Sequence, residues 1–342
     1  MFAAKVKKEY AEKVRKLLEQ KGLIDRARKL IKTNNAVEIP VISVVEEDYK
    51  FIERFNPKII TQKKIIKKIS IAPLEEITRI VDIPQEFKRY LPNKWEKLGD
   101  VLIMKIPKEL ESYERAIASA YARVLGAKTV VKDLGIYGKE RKPEVEKIFG
   151  ESTETTHIEN KIKFKLDVAK IMFSSGNLEE RKRMANISNS NEVVVDMFAG
   201  IGYFSIPLAF YSKPKKLLAY EINPIAYKYL CDNIKLNKVQ NIMAPRLEDC
   251  LNAEEYLADR VIMGYLKNTF LYLPKALRIL KSQGGVIHYH ENSPNELLPK
   301  ALWDKIKNII EREKRTVEVL KLVKVKSYAP GVTHAVLDLK IR

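Results

Sequence analysis

The chain has 342 residues, of which 46% are hydrophobic and 31% are charged. This composition predicts a folded protein of two or three domains and excludes a disordered chain. No apolar run approaches the roughly 20 residues that span a bilayer, so we expect no membrane partner. The N-terminal residues lack the apolar core of a signal peptide, so we expect a cytoplasmic protein. We also expect a monomer.

The net charge is +19, and the first 150 residues alone carry +11. A polyanionic partner such as a nucleic acid is the natural interpretation, and a lysine-rich surface adapted to heat is the alternative. The candidates for phosphate contacts, in a doublet repeated around two isoleucines and in a turn-rich segment, are Lys63, Lys64, Lys67, Lys68, Arg141 and Lys142. The two cysteines lack metal-site spacing, so we expect free thiols and no metal.

The first predicted domain covers residues 1–85 and is a small, basic α+β unit. The N-terminal residues run into a helical pattern over 10–21, which Gly22 ends, and 37–42 has the composition of a strand. A middle α+β domain over 86–160 follows, with a strand at 101–104 and a helix at 113–125. We interpret residues 135–143 of that domain as a turn-rich segment.

The third predicted domain covers residues 161–342, where strand and helix patterns alternate as in a parallel α/β sheet. Its predicted strands are 193–196, 217–221, 261–263 and 286–290. Its predicted helices are 224–237 and 270–281. Residues 317–325 and 335–339 are expected to form a terminal antiparallel pair. The order predicts a Rossmann-like transferase domain.

The first of these strands ends at Asp196, where a glycine-containing loop begins with the pattern Asp-x-Phe-Ala-Gly-Ile-Gly. Its candidate residues are Asp196, Phe198, Gly200 and Gly202. Glycines there permit a tight turn and a close approach of a ligand to the backbone. Glu221 ends the next strand, where a carboxylate can accept hydrogen bonds from ribose hydroxyls. A nicotinamide dinucleotide uses similar parts, and a purely structural loop is the third alternative.

An acid at the start of this loop would repel a pyrophosphate and suits a ligand that carries an ammonium and a sulfonium. The third glycine of the dinucleotide pattern is also missing. We therefore expect S-adenosylmethionine as the cofactor. Glu248 and Asp249, which lie between the predicted strands 217–221 and 261–263 after a further strand candidate, are candidates to accept from the adenine amino group.

Several specific motifs lie between residues 90 and 342. They are Arg141-Lys142-Pro143, residues 166–174, Gly176-Asn177-x-x-Glu180-Arg181, the loop from Asp196 to Gly202, residues 260–265, His288-Tyr289-His290 and Tyr328-Ala329-Pro330-Gly331-Val332. In these motifs the chain resembles the archaeal homologues of tRNA wybutosine-synthesizing protein 2, which are relatives of the tRNA guanine-N1 methyltransferases.

The resemblance implies a class I S-adenosylmethionine-dependent transferase domain behind small N-terminal α+β domains. It implies transfer of the 3-amino-3-carboxypropyl group to carbon 7 of 4-demethylwyosine, next to the anticodon of phenylalanine tRNA. The six basic candidates would then contact that tRNA. The cofactor contacts it implies are Ser174, Arg181, Glu221, Glu248 and Asp249.

The loop after the predicted strand 261–263 separates the two related activities. The resemblance implies Asn-x-Pro-Lys there in the methyltransferases, whereas this chain has Met263-Gly264-Tyr265-Leu266. The carboxamide and the fixed proline backbone of a methyl-transfer site are absent. We therefore expect aminocarboxypropyl transfer, with Met263, Gly264 and Tyr265 beside the cofactor.

Two further side chains are candidates for specific roles. Arg181, near a predicted helix start, is a candidate to hold the cofactor carboxylate through two parallel hydrogen bonds, and a salt bridge to Glu180 or Asp167 is the alternative. His290 is a candidate general base, because the reaction releases one proton from the acceptor carbon.

Two other functions stay open on the sequence alone. The short archaeal relatives lack a counterpart of residues 1–85, whereas the guanine-N1 methyltransferases have such a domain, so methyl transfer, alone or as a second activity, is one of them. Thr333 also stands where the resemblance implies a tryptophan. A noncatalytic tRNA-binding module is the other.

Overall fold

The computed structural model describes residues 1–43, 45–62, 72–137 and 142–342. The chain forms two compact units, Met1–Glu76 and Ile77–Arg342. In the described ranges no helix is long and apolar enough to cross a membrane. The predicted three-domain division at about residues 85 and 160 stays a prediction.

The first unit is an antiparallel four-stranded sheet in the order β2-β3-β1-β4, packed against one helix. The helix predicted over 10–21 is confirmed as α1, Lys8–Gln20. Residues Phe2–Lys7 before it form a strand, β1, that was not predicted and in which Ala3, Ala4 and Val6 are buried. Helix α1 covers this sheet with Val14 and Leu18. The elements are β1 Phe2–Lys7, α1 Lys8–Gln20, β2 Ile31–Lys32, β3 Ala36–Val41, β4 Lys58–Thr61 and a 3-10 helix Glu46–Phe55.

The second unit begins near helix α2, Pro73–Ile80, which crosses the boundary, and continues with a mixed four-stranded sheet in the order β5-β6-β7-β8. Helix α3 buries Ile117 and Tyr121, and the Tyr121 hydroxyl donates to the carbonyl of Pro92 at 2.5 Å. The elements are β5 Trp95–Leu98, β6 Val101–Met104, α3 Glu114–Leu125, β7 Thr129–Tyr137 and β8 Lys142–Phe149. The turn-rich interpretation of 135–143 is therefore too long, because both strands extend into it, with a register shift between Asp133 and Gly135.

A two-stranded hairpin, β9 Glu154–Glu159 and β10 Ile162–Asp167, follows and was not predicted. Alternate residues Ile162, Phe164 and Leu166 are buried, so the period-two pattern of a strand was present in the sequence. Asn233 and Asn237 bond to the backbone of this hairpin at Lys165 and Lys163. Asn233 lies in helix α6, Pro224–Leu236, and Asn237 follows its end, so these bonds join the hairpin to that helix.

The large sheet has seven strands in the order β13-β12-β11-β14-β15-β17-β16. Five are parallel, and β17 runs antiparallel between β15 and β16. This arrangement confirms the predicted parallel α/β sheet with a terminal antiparallel pair. The strands are β11 Val193–Asp196, β12 Lys216–Glu221, β13 Met243–Leu247, β14 Arg260–Met263, β15 Gly285–Pro294, β16 Val317–Ala329 and β17 Val332–Ile341.

Helices cover both faces of this sheet and enclose two apolar cores. They are α4 Leu178–Met184, α5 Ser205–Tyr211, α6 Pro224–Leu236, α7 Leu273–Ile279 and α8 Lys300–Arg312. The helix expected over 270–281 is shorter, because a 3-10 turn, Thr269–Tyr272, precedes α7, whose first turn holds Pro274. Both cysteines are free thiols, which confirms that prediction. The carboxyl ends of β11, β12, β13 and β14 meet at one edge, where the candidate site lies.

Candidate cofactor and active site

The glycine loop after β11 is shaped by its own packing. Gly200 has φ +57° and Gly202 has φ +97°, conformations that favour glycine. A Cβ at Gly200 would lie 2.5 Å from the ring of Tyr203, and one at Gly202 would lie 2.4 Å from Ile206. These glycines therefore allow the loop to close on its own side chains. The predicted tight turn is therefore present, and the close approach of a ligand to this backbone stays a prediction.

Asp196 orders the start of this loop from inside the protein. Its side chain is fully buried, and Oδ1 accepts a hydrogen bond from the amide of Phe198 at 3.2 Å. Burial raises the pKa of Asp196 to about 7, although its contacts with the Phe198 amide and the Ser205 hydroxyl lower it. Because no part of Asp196 is exposed, it acts on a ligand through the loop.

Glu221, at the end of β12, faces the same loop. Its Oε2 accepts from the amide of Gly200 and its Oε1 from the amide of Asn223, both at 2.7 Å. Burial raises the pKa of Glu221 above its ordinary value. Each carboxylate oxygen keeps a second acceptor position, which is the arrangement a ribose diol requires. The residues therefore fit a nucleoside.

The next strand end adds two more acids. The amide of Glu248 donates to the carbonyl of Glu221 at 3.1 Å, and Asp249 Oδ1 accepts from the amide of Leu251 at 2.9 Å. Two apolar side chains that were not predicted follow the acids: Ile222 is 68% exposed and Leu251 is 48% exposed. The available signal in the sequence was an apolar residue close behind an acid, Ile222 directly after Glu221 and Leu251 two residues after Asp249, because a nucleoside base packs on an apolar surface.

The loop after β14 carries an aromatic cluster. Met263 is fully buried. The Tyr265 ring stacks on Phe198 with centroids 5.0 Å apart and planes at 20°, and Tyr272 meets Phe198 edge-on, also at 5.0 Å. Gly264 lies against Phe204, which a Cβ there would approach to 3.0 Å. The sequence predicted the importance of this loop but not its contact with the glycine loop.

Two side chains from β15 hold that aromatic loop in place. Glu291, which is 2% exposed, accepts from the amide of Thr269 at 3.1 Å. Asn292 donates from Nδ2 to the carbonyl of Leu266, also at 3.1 Å. The backbone just after Tyr265 is therefore held by two hydrogen bonds from β15, which help to set the position of its ring.

Arg181 forms an ion pair with Glu159, which was not among its predicted partners. Its Nε and one terminal nitrogen donate to the two carboxylate oxygens of Glu159 at 2.6 and 2.5 Å, and the other donates to the carbonyl of Ser174 at 2.8 Å. The guanidinium also lies over the ring of Phe173. The pair holds the pKa of Glu159 at about 2 although burial raises it. Arg181 thus fixes the segment that contains Ser174.

The three histidines of the sheet lie in a buried polar network. His290 is 1% exposed, and its Nδ1 lies 3.0 Å from Nε2 of His334. Within the described ranges His290 Nε2 has no hydrogen-bond partner. Burial lowers the pKa of His290 well below its ordinary value and that of His334 to about 4, so both rings are neutral at pH 7. His288 bonds instead to Asp338 and Arg260.

The basic candidates for tRNA contacts are not tested by the structure. Lys63, Lys64, Lys67, Lys68 and Arg141 lie outside the described residues. The backbone of Lys142 begins β8, and its side chain also lies outside the described part.

The sheet order, the glycine loop and the acid at the end of β12 define a class I S-adenosylmethionine-dependent transferase. Three family models match the chain. The TRM5/TYW2 methyltransferase domain matches residues 155–320, the TYW2 N-terminal domain matches 75–153, and the tRNA methyltransferase 5 N-terminal domain matches 3–50. The chain belongs to the TRM5/TYW2 family.

Relatives of both activities match over most of their length. The tRNA(Phe) (4-demethylwyosine(37)-C(7)) aminocarboxypropyltransferase of Pyrococcus horikoshii is 46% identical over 76% of this chain and 93% of its own. The structure of P. horikoshii TYW2 in complex with MeSAdo has a TM-score of 0.71 at 44% identity, over 78% of this chain and 98% of its own. The tRNA (guanine(37)-N(1))-methyltransferase Trm5b of Pyrococcus abyssi is 36% identical over 99% of both chains.

Proposed function

We propose that this protein transfers the 3-amino-3-carboxypropyl group of S-adenosylmethionine to carbon 7 of 4-demethylwyosine in tRNA. The observation that carries the proposal is the stack of Tyr265 on Phe198, in the loop where the methyltransferase pattern has Asn-x-Pro-Lys. The higher identity to an aminocarboxypropyltransferase than to a guanine methyltransferase supports the same choice.

The residues at the strand ends would hold the donor by its nucleoside. Glu221 would accept from the ribose hydroxyls, Glu248 and Asp249 from the adenine amino group, and Ile222 would contact the base. When bound, S-adenosylmethionine supplies a sulfonium that makes its attached carbons electrophilic. The acceptor carbon forms a bond to the Cγ of the arm, the sulfur–Cγ bond breaks, and its electron pair stays on sulfur.

Orientation decides which carbon is attacked, because the methyl and the aminocarboxypropyl groups are bonded to the same sulfur. The loop from Met263 to Tyr265 presents an aromatic ring to the glycine loop where a carboxamide would orient a guanine. Tyr265 therefore favours a donor pose in which the arm faces the acceptor base.

The acceptor carbon must lose one proton after the new bond forms. His290 is the proposed acceptor, because its Nε2 has no hydrogen-bond partner in the described ranges, with Glu180 Oε1 3.8 Å away, and its ring is neutral at pH 7. The ring is 1% exposed, so tRNA binding must open a path to it. His290→Gln is expected to lower the rate of transfer without changing donor affinity, and an unchanged rate would remove His290 from the reaction.

The macromolecular substrate is tRNA, as the basic charge and the family indicate. We assign the position next to the anticodon of phenylalanine tRNA, and the cytoplasm as the place of reaction. The six basic candidates of the sequence would contact the phosphates. We also propose that one chain acts as a monomer.

The by-product tests this proposal. Incubation with S-adenosylmethionine and tRNA that carries 4-demethylwyosine should release 5′-methylthioadenosine, which chromatography separates from S-adenosylhomocysteine. S-adenosylhomocysteine as the main product would contradict aminocarboxypropyl transfer.

Methyl transfer to guanine is a second candidate, and the N-terminal unit favours it. Residues 3–50 match the tRNA methyltransferase 5 N-terminal domain, and the match to Trm5b covers almost the whole chain. A bifunctional protein would methylate an unmodified transcript. Absence of methyl incorporation into that transcript, under conditions where the precursor tRNA reacts, would exclude this candidate.

A further inference from the structure

The donor's aminocarboxypropyl arm ends in a carboxylate, and Arg181 is poorly placed to bind it. Three of the five N–H groups of its guanidinium already donate to Glu159 and to the carbonyl of Ser174. The charge of Arg181 is neutralised by Glu159, and the side chain is 3% exposed. A ligand carboxylate therefore needs another cation at this segment.

Lys326 supplies a cation at the same segment from the other end of the chain. Its Nζ donates to Oγ of Ser174 at 2.5 Å, although 152 residues separate the two positions. Gly176 leaves space for the lysine, because a Cβ there would lie 3.1 Å from Lys326 Cδ. The absence of a side chain at residue 176 thus permits the lysine to reach Ser174.

The Ser174 segment is connected to the glycine loop by short contacts. The hydroxyl of Tyr203 donates to the carbonyl of Met172 at 2.5 Å, and Tyr203 packs against Gly200. Gly200 in turn donates its amide to Glu221. Lys326 and Ser174 therefore lie within the side-chain network of the site.

The charges of the site are divided across the sheet. Glu221, Glu248 and Asp249 follow β12 and β13, on one side of the glycine loop, whereas Lys326 lies on β16, on the other side. A carboxylate is repelled by the acidic side and attracted to the lysine. The nucleoside and the charged end of the arm would then lie on opposite sides of the loop.

We propose that Lys326, together with the Ser174 hydroxyl, binds the carboxylate of the donor's aminocarboxypropyl arm and so orients the group that is transferred. The inference rests on the proposed donor and assigns a positioning residue. Charge-assisted hydrogen bonds of this kind contribute more than neutral ones, so their loss is measurable in binding.

The test compares two ligands that differ by the arm. S-adenosylmethionine carries it and 5′-methylthioadenosine does not, and calorimetric titration gives both affinities. Lys326→Met is expected to weaken binding of S-adenosylmethionine by about tenfold or more and to leave that of 5′-methylthioadenosine unchanged. Lys326→Arg should retain most of the affinity. Lys324→Met removes the same charge from an exposed position of β16 and should change neither affinity.

Unchanged S-adenosylmethionine affinity in Lys326→Met, or equal losses for the two ligands, would overturn the inference. Thermal melting checks that each variant is folded, and Lys326→Gln replaces Lys326→Met if that variant does not fold. If the wild-type protein binds both ligands but transfers nothing to tRNA, the proposed function alone is contradicted. The role of Lys326 is still decided by the two measured affinities.

Discussion

Arg181 and Glu159 form a two-point ion pair that joins helix α4 to the hairpin β9–β10. Both hydrogen bonds are short, at 2.6 and 2.5 Å, and the two side chains are 3% and 11% exposed. The same guanidinium holds the carbonyl of Ser174. The pair therefore fixes the segment that contains Ser174, and a direct contact of Arg181 with the cofactor carboxylate stays a prediction.

Removal of Arg181 should destabilise the fold. Arg181→Met leaves the carboxylate of Glu159 buried without its partner, and we expect a loss of about 3 kcal/mol or more in the free energy of unfolding. Urea unfolding at pH 7 measures it. Lys182→Met, at an exposed position on the same helix, is the control and should cost little. A stable Arg181→Met protein with weakened donor binding would instead support direct contact with the ligand.

Asp196 makes stability depend on pH. Its pKa is about 7 in the folded protein and near 3.8 in the unfolded chain, so the folded state holds a proton that the unfolded state has released. Its contribution is fully present below pH 4 and is lost as pH rises to about 7. Asp196→Asn should therefore match the wild type at pH 4 and exceed it by on the order of 2 to 4 kcal/mol at pH 8.

Chemical unfolding of both proteins across this pH range measures the difference. A constant difference between pH 4 and pH 8 would show that Asp196 does not titrate there. The same variant tests whether the charge of Asp196 assists the sulfonium, because S-adenosylmethionine would then bind more weakly while 5′-methylthioadenosine would not.

Glu221→Gln should weaken binding of both ligands. The variant keeps an acceptor oxygen but loses the charge, and a charge-assisted hydrogen bond contributes roughly 1.5 to 3 kcal/mol. We expect affinity for S-adenosylmethionine and for 5′-methylthioadenosine to fall by about tenfold or more, since both carry the ribose. Calorimetric titration measures this, with Glu311→Gln on the exposed face of α8 as the control. Unchanged affinities would remove Glu221 from the nucleoside site.

The N-terminal unit should contribute to tRNA affinity and not to donor binding. A chain that begins at Ala72 keeps helix α2 and the whole second unit. Filter binding at several salt concentrations should give weaker tRNA binding and a flatter dependence of log affinity on log salt, because fewer phosphates are neutralised. Donor affinity should stay the same. Equal tRNA affinity in the two chains would assign the docking role elsewhere.

Local patterns in the sequence were sufficient to predict the large sheet and the glycine loop. The strands β11, β12 and β14 are short apolar runs between turn signals, and Gly200 and Gly202 mark the loop directly. The hairpin β9–β10 had an alternating pattern and was missed. Each of these elements is determined by residues close together in the chain, so its pattern can be recognised in a single sequence.

The side-chain contacts of the site could not be predicted in the same way. Glu159 and Arg181 are 22 residues apart, and Ser174 and Lys326 are 152 apart. No spacing rule relates such positions, because the contacts depend on how β9 and β16 are placed by the fold. The burial of Asp196 and His290 has the same origin, since each lies in a strand covered on both faces.

The transfer of the aminocarboxypropyl group is tested most directly with S-adenosylmethionine labelled either in the methyl carbon or in the carboxyl carbon. Each donor is incubated with the protein and tRNA that carries 4-demethylwyosine, and the label retained in tRNA is counted. Retention from the carboxyl-labelled donor alone is the expected result. Retention of the methyl label, with none from the carboxyl carbon, would contradict the proposed reaction.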